Sequence, residues 1–214
     1  MSKARILLGD DHGLILEGLQ SLLAQDFDVV GTASDGRDAV LKAERLKPDA
    51  VLLDISMPIL NGMEAARQIK SFAPGVKILF ITQKADREYV KAALRIGASG
   101  YILKQSVVGE LVTALKEVLA GRYYVTSLLR NGTPEALSSP QRNPVDLFGE
   151  SLTPRQREVL QLVAEGKSNK EIATTLNVSV KTVDYHKARI MDDLGLRTTA
   201  ELTRYAIEHG IVDA

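Results

Sequence analysis

Acidic, hydroxyl and basic side chains stand where short apolar segments end in the first half of this sequence. Asp10 and Asp11 follow "RILLG", Asp54 follows "AVLL", Thr82 ends "KILFIT" and Lys104 ends "GYILK". Clustered carboxylates repel one another unless a cation offsets their charge. In a chain with no Cys and three His, magnesium is the cation that such oxygen ligands favour. The residue types suit phosphoryl transfer, with Asp54, which stands alone after its segment, as the nucleophile.

The segments that must position these side chains alternate with helical patterns over residues 4–104. Helices are predicted over Gly13–Gln25, Arg37–Leu46, Gly62–Phe72, Arg87–Ile96 and Val107–Leu119. Strands that alternate with helices are typical of a parallel sheet covered on both faces. We therefore predict an α/β doubly wound five-stranded parallel sheet for residues 1–121, with the flavodoxin-like order 2-1-3-4-5. Ligands of such sheets bind at the carboxyl ends of the strands, at the topological switch point, where the three acids should meet.

The second half of the chain has a different composition. "NGTPEALSSPQRNP" is rich in turn-forming residues and predicts a linker over 122–150. "YYVTSLL", just before it, is compatible with either a short helix or a short strand. Beyond it, helix-capping residues precede four helical patterns: Thr153, Ser168, Ser179 and Thr198. A short second helix, a tight turn and a longer third helix predict a small all-α four-helix helix-turn-helix domain in 151–214.

Composition narrows the class of protein. The 214 residues are 45% hydrophobic and 25% charged, which is ordinary for globular domains. The lack of Cys excludes disulfides and thiolate metal sites. No segment approaches the roughly 20 apolar residues of a membrane span, and "MSKARILLGDD" is too short in its apolar part for a secretory signal. We expect no membrane association and a cytoplasmic location. The net charge of zero gives no indication of nucleic-acid binding, so any such indication must come from where the charges lie.

Four stretches of the first half carry a family resemblance: "ILLGDDH", "LLDISMPILNGMEAARQI", "ILFIT" and "GASGYILK". With them, residues 1–121 resemble the receiver domain of two-component response regulators. The resemblance implies that Asp54 accepts a phosphoryl group from a sensor histidine kinase. It also implies that Asp11, Asp54 and the backbone carbonyl of Ser56 ligate Mg²⁺, with Asp10 contacting the ion directly or through water. Lys104 would pair with the phosphoryl group, and Thr82 and Tyr101 would form the switch pair.

Two positions depart from that family pattern. Gln83 follows Thr82 where a small residue is usual, which predicts altered phosphoryl access or dephosphorylation. Gln105 follows Lys104 where many receivers have a proline after a cis peptide, so the cis isomer is not carried over to this chain. His12 follows the acid pair, and we interpret it as a helix-start residue because Mg²⁺ prefers oxygen ligands.

The C-terminal stretch resembles the LuxR-type helix-turn-helix of the NarL/FixJ response regulators. The resemblance covers "LTPRQREVLQLVAEGKSNKEIATTLNVSVKTVDYHKARIMDDLGLRTTAELTRYA". Together the two resemblances span nearly the whole chain. They imply a transcription regulator, switched by phosphorylation, that binds double-stranded DNA as a homodimer when active. We expect dimer contacts from the last helix, Thr199–Glu208, in the DNA-bound state.

Helical geometry indicates which face of the third C-terminal helix reads DNA. At 100° per residue from Val183, the core stripe contains Ile190 and Leu194, and His186 lies beside it, which favours a packed over a catalytic histidine. The outer face and its flanks, with the preceding helix, supply the candidate DNA contacts: Lys170, Lys181, Thr182, Asp184, Tyr185, Lys187, Ala188 and Arg189.

Asp184 is unexpected on that surface, since an acid repels phosphates. Two interpretations remain open. It pairs with Lys181 or Lys187, three residues to either side, or it accepts a hydrogen bond from N4 of cytosine in the major groove. The first is slightly favoured.

Two other classes of function compete with a DNA-binding regulator. Enzymes of the haloacid-dehalogenase type also use an Asp nucleophile after a strand, but they usually have a second acid two residues on, where this chain has Ser56. A receiver with a protein- or RNA-binding output is the other alternative, and the motif in 151–212 argues against it. A gel shift that compares operator DNA with RNA discriminates the two.

Overall fold

The computed structural model describes residues 3–129, 147–149 and 151–213. These residues fall into two compact units, one within 1–142 and the other within 143–214. The predicted linker, 122–150, therefore lies largely outside the described residues. Within the described ranges, no helix has the length and apolar character needed to cross a membrane.

The first unit is built on one parallel sheet. Its strands are β1 (Arg5–Gly9), β2 (Asp28–Ala33), β3 (Ala50–Leu53), β4 (Lys77–Thr82), β5 (Gly100–Leu103) and β6 (Tyr124–Val125). They lie in the order β2-β1-β3-β4-β5-β6, and all neighbours pair in parallel. The predicted order 2-1-3-4-5 is confirmed. The sheet has a sixth strand in addition to the five predicted, because "YYVTSLL" forms the short β6 and then a 3₁₀ turn, Ser127–Leu129.

Helices cover both faces of the sheet. They are α1 (Gly13–Leu23), α2 (Gly36–Leu46), α3 (Gly62–Phe72), α4 (Arg87–Arg95) and α5 (Val107–Leu119). The predictions for α3 and α5 match to the residue, and the other three differ by one or two residues at one end. The central strand β3 is completely buried, since each of its four side chains is at most 1% exposed. Its run of apolar residues is thus the signature of a strand covered on both faces.

The start of α3 fixes the backbone beside Asp54. Asn61 caps the helix, with its side chain accepting from the backbone N–H of Glu64 at 2.9 Å. The next residue, Gly62, lies so close to the end of β3 that a Cβ added there would stand 1.8 Å from the carbonyl oxygen of Asp54. Only glycine therefore allows α3 to begin against the residue that ends the central strand.

Substitution of Gly62 by Ala is expected to destabilise the first unit. The added methyl group must displace backbone rather than a flexible side chain, and such overpacking costs about 1–3 kcal/mol. Gly18, in the middle of α1, is the matched control because an added Cβ there meets nothing within 4 Å. Gly18→Ala should raise the free energy of unfolding by about 0.5–1 kcal/mol. Urea unfolding of both variants measures the difference, and equal stabilities would show that the contact at Gly62 is not constraining.

The second unit is a small helical domain. Its helices are α6 (Pro154–Ala164), α7 (Asn169–Leu176), α8 (Val180–Leu194) and α9 (Thr199–Glu208). The caps predicted at their four starts are present: Thr153, Ser168, Ser179 and Thr198 each accept a backbone N–H three residues on. The turn between α7 and α8 passes through Asn177 in the left-handed conformation, with φ of 52°. The predicted helix-turn-helix is confirmed.

Residues just before α6 belong to the second unit. Phe148, within the predicted linker, is fully buried, and its backbone N–H donates to the carbonyl of His209 at 2.8 Å. The side chain of Arg157 donates to the carbonyls of Gly149 and Leu152. These contacts hold the entry to α6 in place.

Candidate functional site

The acids predicted to converge do so at the carboxyl edge of the sheet. In the pairing of β1 with β3, Gly9 lies opposite Leu53, so the residues that follow them emerge side by side. Asp10 and Asp54 are buried, whereas Asp11 is exposed. One carboxylate oxygen from each of the three, together with a ring nitrogen of His12, lies within 4.8 Å of all the others.

Lys104 joins this group from the end of β5. Its Nζ donates to Asp54 Oδ2 at 2.8 Å and lies 2.7 Å from Asp10 Oδ2. Burial opposes the charged form of Lys104, but its hydrogen bonds to the two acids raise its pKa above the ordinary lysine value. Burial raises the pKa of Asp54, and the bond from Lys104 offsets that only in part. Lys104 therefore stays charged, whereas the ionised form of Asp54, its partner, is disfavoured by burial.

The group of acids fits a divalent cation. Three carboxylates face one ammonium, so the ionised cluster carries an excess of negative charge. The donor atoms are mostly oxygens, which Mg²⁺ prefers. Ser56, whose carbonyl is a predicted ligand, lies against Asp54, because its backbone N–H donates to that carboxylate.

His12 is the residue of this group that sequence reasoning set aside. It does cap α1, as predicted, although its side chain makes no capping bond. Instead its Nδ1 lies 2.7 Å from Asp11 Oδ1 and 3.1 Å from Asp10 Oδ1. Its position directly after the acid pair is the signal that could have placed its ring in the cluster.

The burial of Asp54 should affect the stability of the first unit. The pKa of Asp54 is raised in the fold, so its ionisation weakens folding as the pH rises through the unfolded-state value. Asp54→Asn should therefore raise the melting temperature of the metal-free protein at pH 8 and reduce the further rise that Mg²⁺ produces by binding the native state. Asp28→Asn, at an exposed position on β2, should change neither. Calorimetry with and without EDTA tests this, and a lower melting temperature for Asp54→Asn would contradict it.

Thr82 and Tyr101, the predicted switch pair, meet at one loop residue. Thr82 is buried at the end of β4, and its Oγ1 accepts from the backbone N–H of Lys84 at 3.2 Å. Tyr101 is fully buried on β5, and its hydroxyl donates to the carbonyl of Lys84 at 2.7 Å. Burial raises the pKa of Tyr101 far above its ordinary value, so the hydroxyl stays a donor. Sequence reasoning missed Lys84, since its part is played by backbone atoms that any residue has.

The two positions that depart from the family pattern are both at the surface. Gln83 is exposed next to Thr82, and Gln105 is exposed in a 3₁₀ turn, Lys104–Ser106. Every peptide bond in the described ranges is trans.

Helix α8 presents the faces predicted for it. Val183 and Ile190 are buried, Leu194 is half-buried, and the outer face is exposed. The exposed candidate contacts are Lys170, Lys181, Asp184, Tyr185, Ala188 and Arg189, and the half-buried ones are Thr182 and Lys187. Thr182 shares a hydrogen bond with Ser179 at the helix start, so part of its hydroxyl's capacity is used locally.

His186 is half-buried beside the core stripe. Its ring meets that of Tyr185 edge-on, with centroids 5.5 Å apart. Burial lowers the pKa of His186, and the nearby Arg155 adds to that effect. A neutral, packed ring agrees with the predicted structural role.

The partner predicted for Asp184 is wrong. Its Oδ1 accepts from Nδ2 of Asn169, the first residue of α7, at 2.5 Å, and Lys187 donates to Oδ1 of the same Asn169 at 3.2 Å. The predicted pairing within the helix is thus replaced by a bridge to the preceding helix. Asn169 could not be found from helical spacing, because it lies 15 residues before Asp184 and on a different element.

Comparison with known proteins agrees with both units. Residues 6–116 match the response regulator receiver domain, and residues 150–206 match the luxR family of bacterial regulatory proteins. The transcriptional regulatory protein MctR of Rhizobium johnstonii is 38% identical over 213 residues, which cover 98% of this chain and 96% of MctR. The oxygen regulatory protein NreC of Staphylococcus aureus is 39% identical over 216 residues, covering 98% and 99%. A solved structure of two RcsB dimers bound to two parallel DNAs is 27% identical, with a TM-score of 0.58, over 95% of this chain and 98% of that one.

Proposed function

Since the chain belongs to the response regulators that join a receiver domain to a LuxR-type DNA-binding domain, and is a phosphorylation-regulated, DNA-binding transcription regulator, we propose that Asp54 is its phosphoacceptor and a sensor histidine kinase its phosphodonor. The observation that carries the proposal is the contact between Asp54 and Lys104 inside a cluster of acids. A cytoplasmic location, where kinase and DNA are both accessible, is part of the proposal.

Asp54 acts as the nucleophile in this proposal. One of its carboxylate oxygens attacks the phosphorus of the kinase phosphohistidine, the P–N bond breaks, and its electron pair stays on the imidazole nitrogen, which is protonated from solvent. An acyl phosphate remains on Asp54. Lys104, already 2.8 Å from the carboxylate, pairs with the phosphoryl oxygens. Mg²⁺ held by Asp10, Asp11, Asp54 and the Ser56 carbonyl would neutralise the remaining phosphoryl charge.

Thr82 and Tyr101 would carry the signal away from Asp54. The new phosphoryl oxygens offer the O–H of Thr82 a charged acceptor, while its oxygen can go on accepting from the Lys84 amide. Such a bond supplies about 1.5–3 kcal/mol, whereas moving a two-state domain from 1:99 to 99:1 takes about 5.5 kcal/mol. Thr82 therefore needs help from Lys104 and from a coupled event, for which we propose dimerisation.

The second unit would read DNA with the outer face of α8. The candidate phosphate contacts are Lys170, Lys181, Lys187 and Arg189, and Tyr185 and Ala188 face the bases. Two copies, paired through α9, would place two such helices on half-sites about one helical turn apart. RcsB, a relative, is solved as dimers on DNA, which supports the same arrangement here.

The proposed division of the chain is a receiver at 1–121, a linker at 122–150 and the DNA-binding domain at 151–214. Each end of the linker is anchored in its own unit, through β6 and through Phe148.

The test of the function is DNA binding before and after phosphorylation. Duplexes are first selected from random sequence by the full-length protein treated with acetyl phosphate and Mg²⁺. A gel shift then compares a selected duplex with RNA of the same sequence. We expect phosphorylation to tighten binding to the duplex and to leave RNA binding weak. Equal affinity for both nucleic acids, or no response to acetyl phosphate, would contradict the proposal.

A further inference from the structure

On the DNA-reading helix α8, the acidic side chain of Asp184 is linked to the basic side chain of Lys187, one turn later, through the side chain of Asn169. Asn169, half-buried at the start of α7, donates from Nδ2 to Asp184 and accepts from Lys187 at Oδ1. Asp184 and Lys187 both lie on α8, three residues apart and on one flank of the helix. The three side chains thus form a continuous chain from carboxylate to amide to ammonium.

The chemistry of the three groups permits only one orientation of the amide. An ionised carboxylate can only accept hydrogen bonds and an ammonium can only donate them, whereas an amide does each with a different atom. As long as Asp184 is present, the nitrogen of Asn169 must face it, and the oxygen must face Lys187. Without Asp184 the amide nitrogen loses its acceptor, and only the bond from Lys187 then fixes the orientation of the amide.

We propose that Asp184 and Asn169 are positioning residues that hold Lys187 ready for a DNA phosphate. This rests on the proposed use of α8 to read DNA. A lysine side chain loses rotamer entropy when its ammonium is fixed, and restraining the ammonium before binding removes part of that loss at the interface. Asp184 therefore strengthens binding to DNA of any sequence, although its own charge repels the phosphates.

Two other roles for Asp184 make different predictions. If it were only a surface acid, removing its charge would tighten binding regardless of the replacement. If it read cytosine through N4, removing it would change the preferred base at one position. The positioning role depends on the hydrogen bond to Asn169 and not on the charge, so it distinguishes Asn from Ala at position 184.

The experiment compares Asp184→Asn with Asp184→Ala in the full-length protein. An Asn at 184 still offers a carbonyl oxygen to Nδ2 of Asn169, so the amide keeps its orientation, and repulsion from the phosphates is lost. We expect Asp184→Asn to bind a duplex selected by the wild-type protein at least as tightly as wild type does. Asp184→Ala and Asn169→Ala should each bind about three- to tenfold more weakly than Asp184→Asn, as expected for one hydrogen bond, and their double variant should be no weaker than either.

Two controls separate this effect from others. Asp192 is exposed on the outer face of the same helix, so Asp192→Asn and Asp192→Ala should bind alike. In a Lys187→Met background, the difference between Asn and Ala at 184 should disappear.

Three results would overturn the inference: equal affinities for Asp184→Asn and Asp184→Ala, a difference that persists in Lys187→Met, or a changed base preference in a selection with Asp184→Ala. Failure of the wild-type protein to select any duplex would instead overturn the proposed function, and this inference with it.

Discussion

Asp54→Asn is expected to abolish phosphate incorporation from radiolabelled acetyl phosphate and Mg²⁺. The amide keeps the size of the side chain and its place beside Lys104, but it has no carboxylate oxygen that can attack phosphorus. Asp54 is buried at the end of the central strand, with Lys104 2.8 Å away to pair with the incoming phosphoryl oxygens. Since the reaction has no other nucleophile in this proposal, the label should fall to background.

Asp49 supplies the matched control because it stands at the opposite end of the same strand. It is exposed, and its side chain accepts from the backbone N–H of Arg5, so Asp49→Asn changes the same functional group far from Lys104. That variant should incorporate label as wild type does. Incorporation by Asp54→Asn equal to wild type would reject Asp54 as acceptor. If Asp10→Asn lost the label while Asp54→Asn kept it, Asp10 would be the acceptor instead.

The site was predictable from sequence to the extent that it depends on strand ends. In a parallel sheet every strand carries its last residue to the same edge, so assigning "AVLL" and "GYILK" as strands was enough to bring Asp54 and Lys104 together. Helix starts were predictable for a similar reason, because the caps Thr153 and Ser168 act on amides only three residues away. Both kinds of inference use information that is local in the chain.

Contacts between elements were not predictable in this way. Asn169 reaches Asp184 across 15 residues, and its amide has no pattern that distinguishes it from an ordinary helix-start residue. Lys84 bonds Thr82 and Tyr101 through its backbone N–H and carbonyl. Because every non-proline residue has these groups, the residue type at position 84 does not reveal the contact. The short β6 was undecided because two residues carry too little periodicity, and its pairing depends on the neighbouring edge of β5. In each case the deciding partner is supplied by tertiary packing.

Thr82→Ala is expected to leave phosphorylation of Asp54 largely intact and to reduce its effect on DNA binding. The hydroxyl is not the nucleophile, so the methyl side chain should still permit uptake of label. It is the group we expect to bond the phosphoryl oxygens, and loss of about 1.5–3 kcal/mol of differential interaction corresponds to roughly ten- to a hundredfold less gain in affinity. The measured quantity is the ratio of DNA affinities with and without acetyl phosphate.

Thr82→Ser distinguishes a signalling hydroxyl from a merely structural one. Thr82 is buried and accepts from the Lys84 amide in the unphosphorylated chain, so removing the hydroxyl also removes that acceptor from the Lys84 N–H. Serine restores the hydroxyl, and with it both the bond to Lys84 and the bond to the phosphoryl group. Thr82→Ser should therefore recover most of the lost ratio, whereas a change that acted through packing of the methyl group alone would persist in serine. If Thr82→Ala responded to acetyl phosphate as wild type does, the signal would have to leave Asp54 through Lys104, the other side chain that we expect to contact the phosphoryl group.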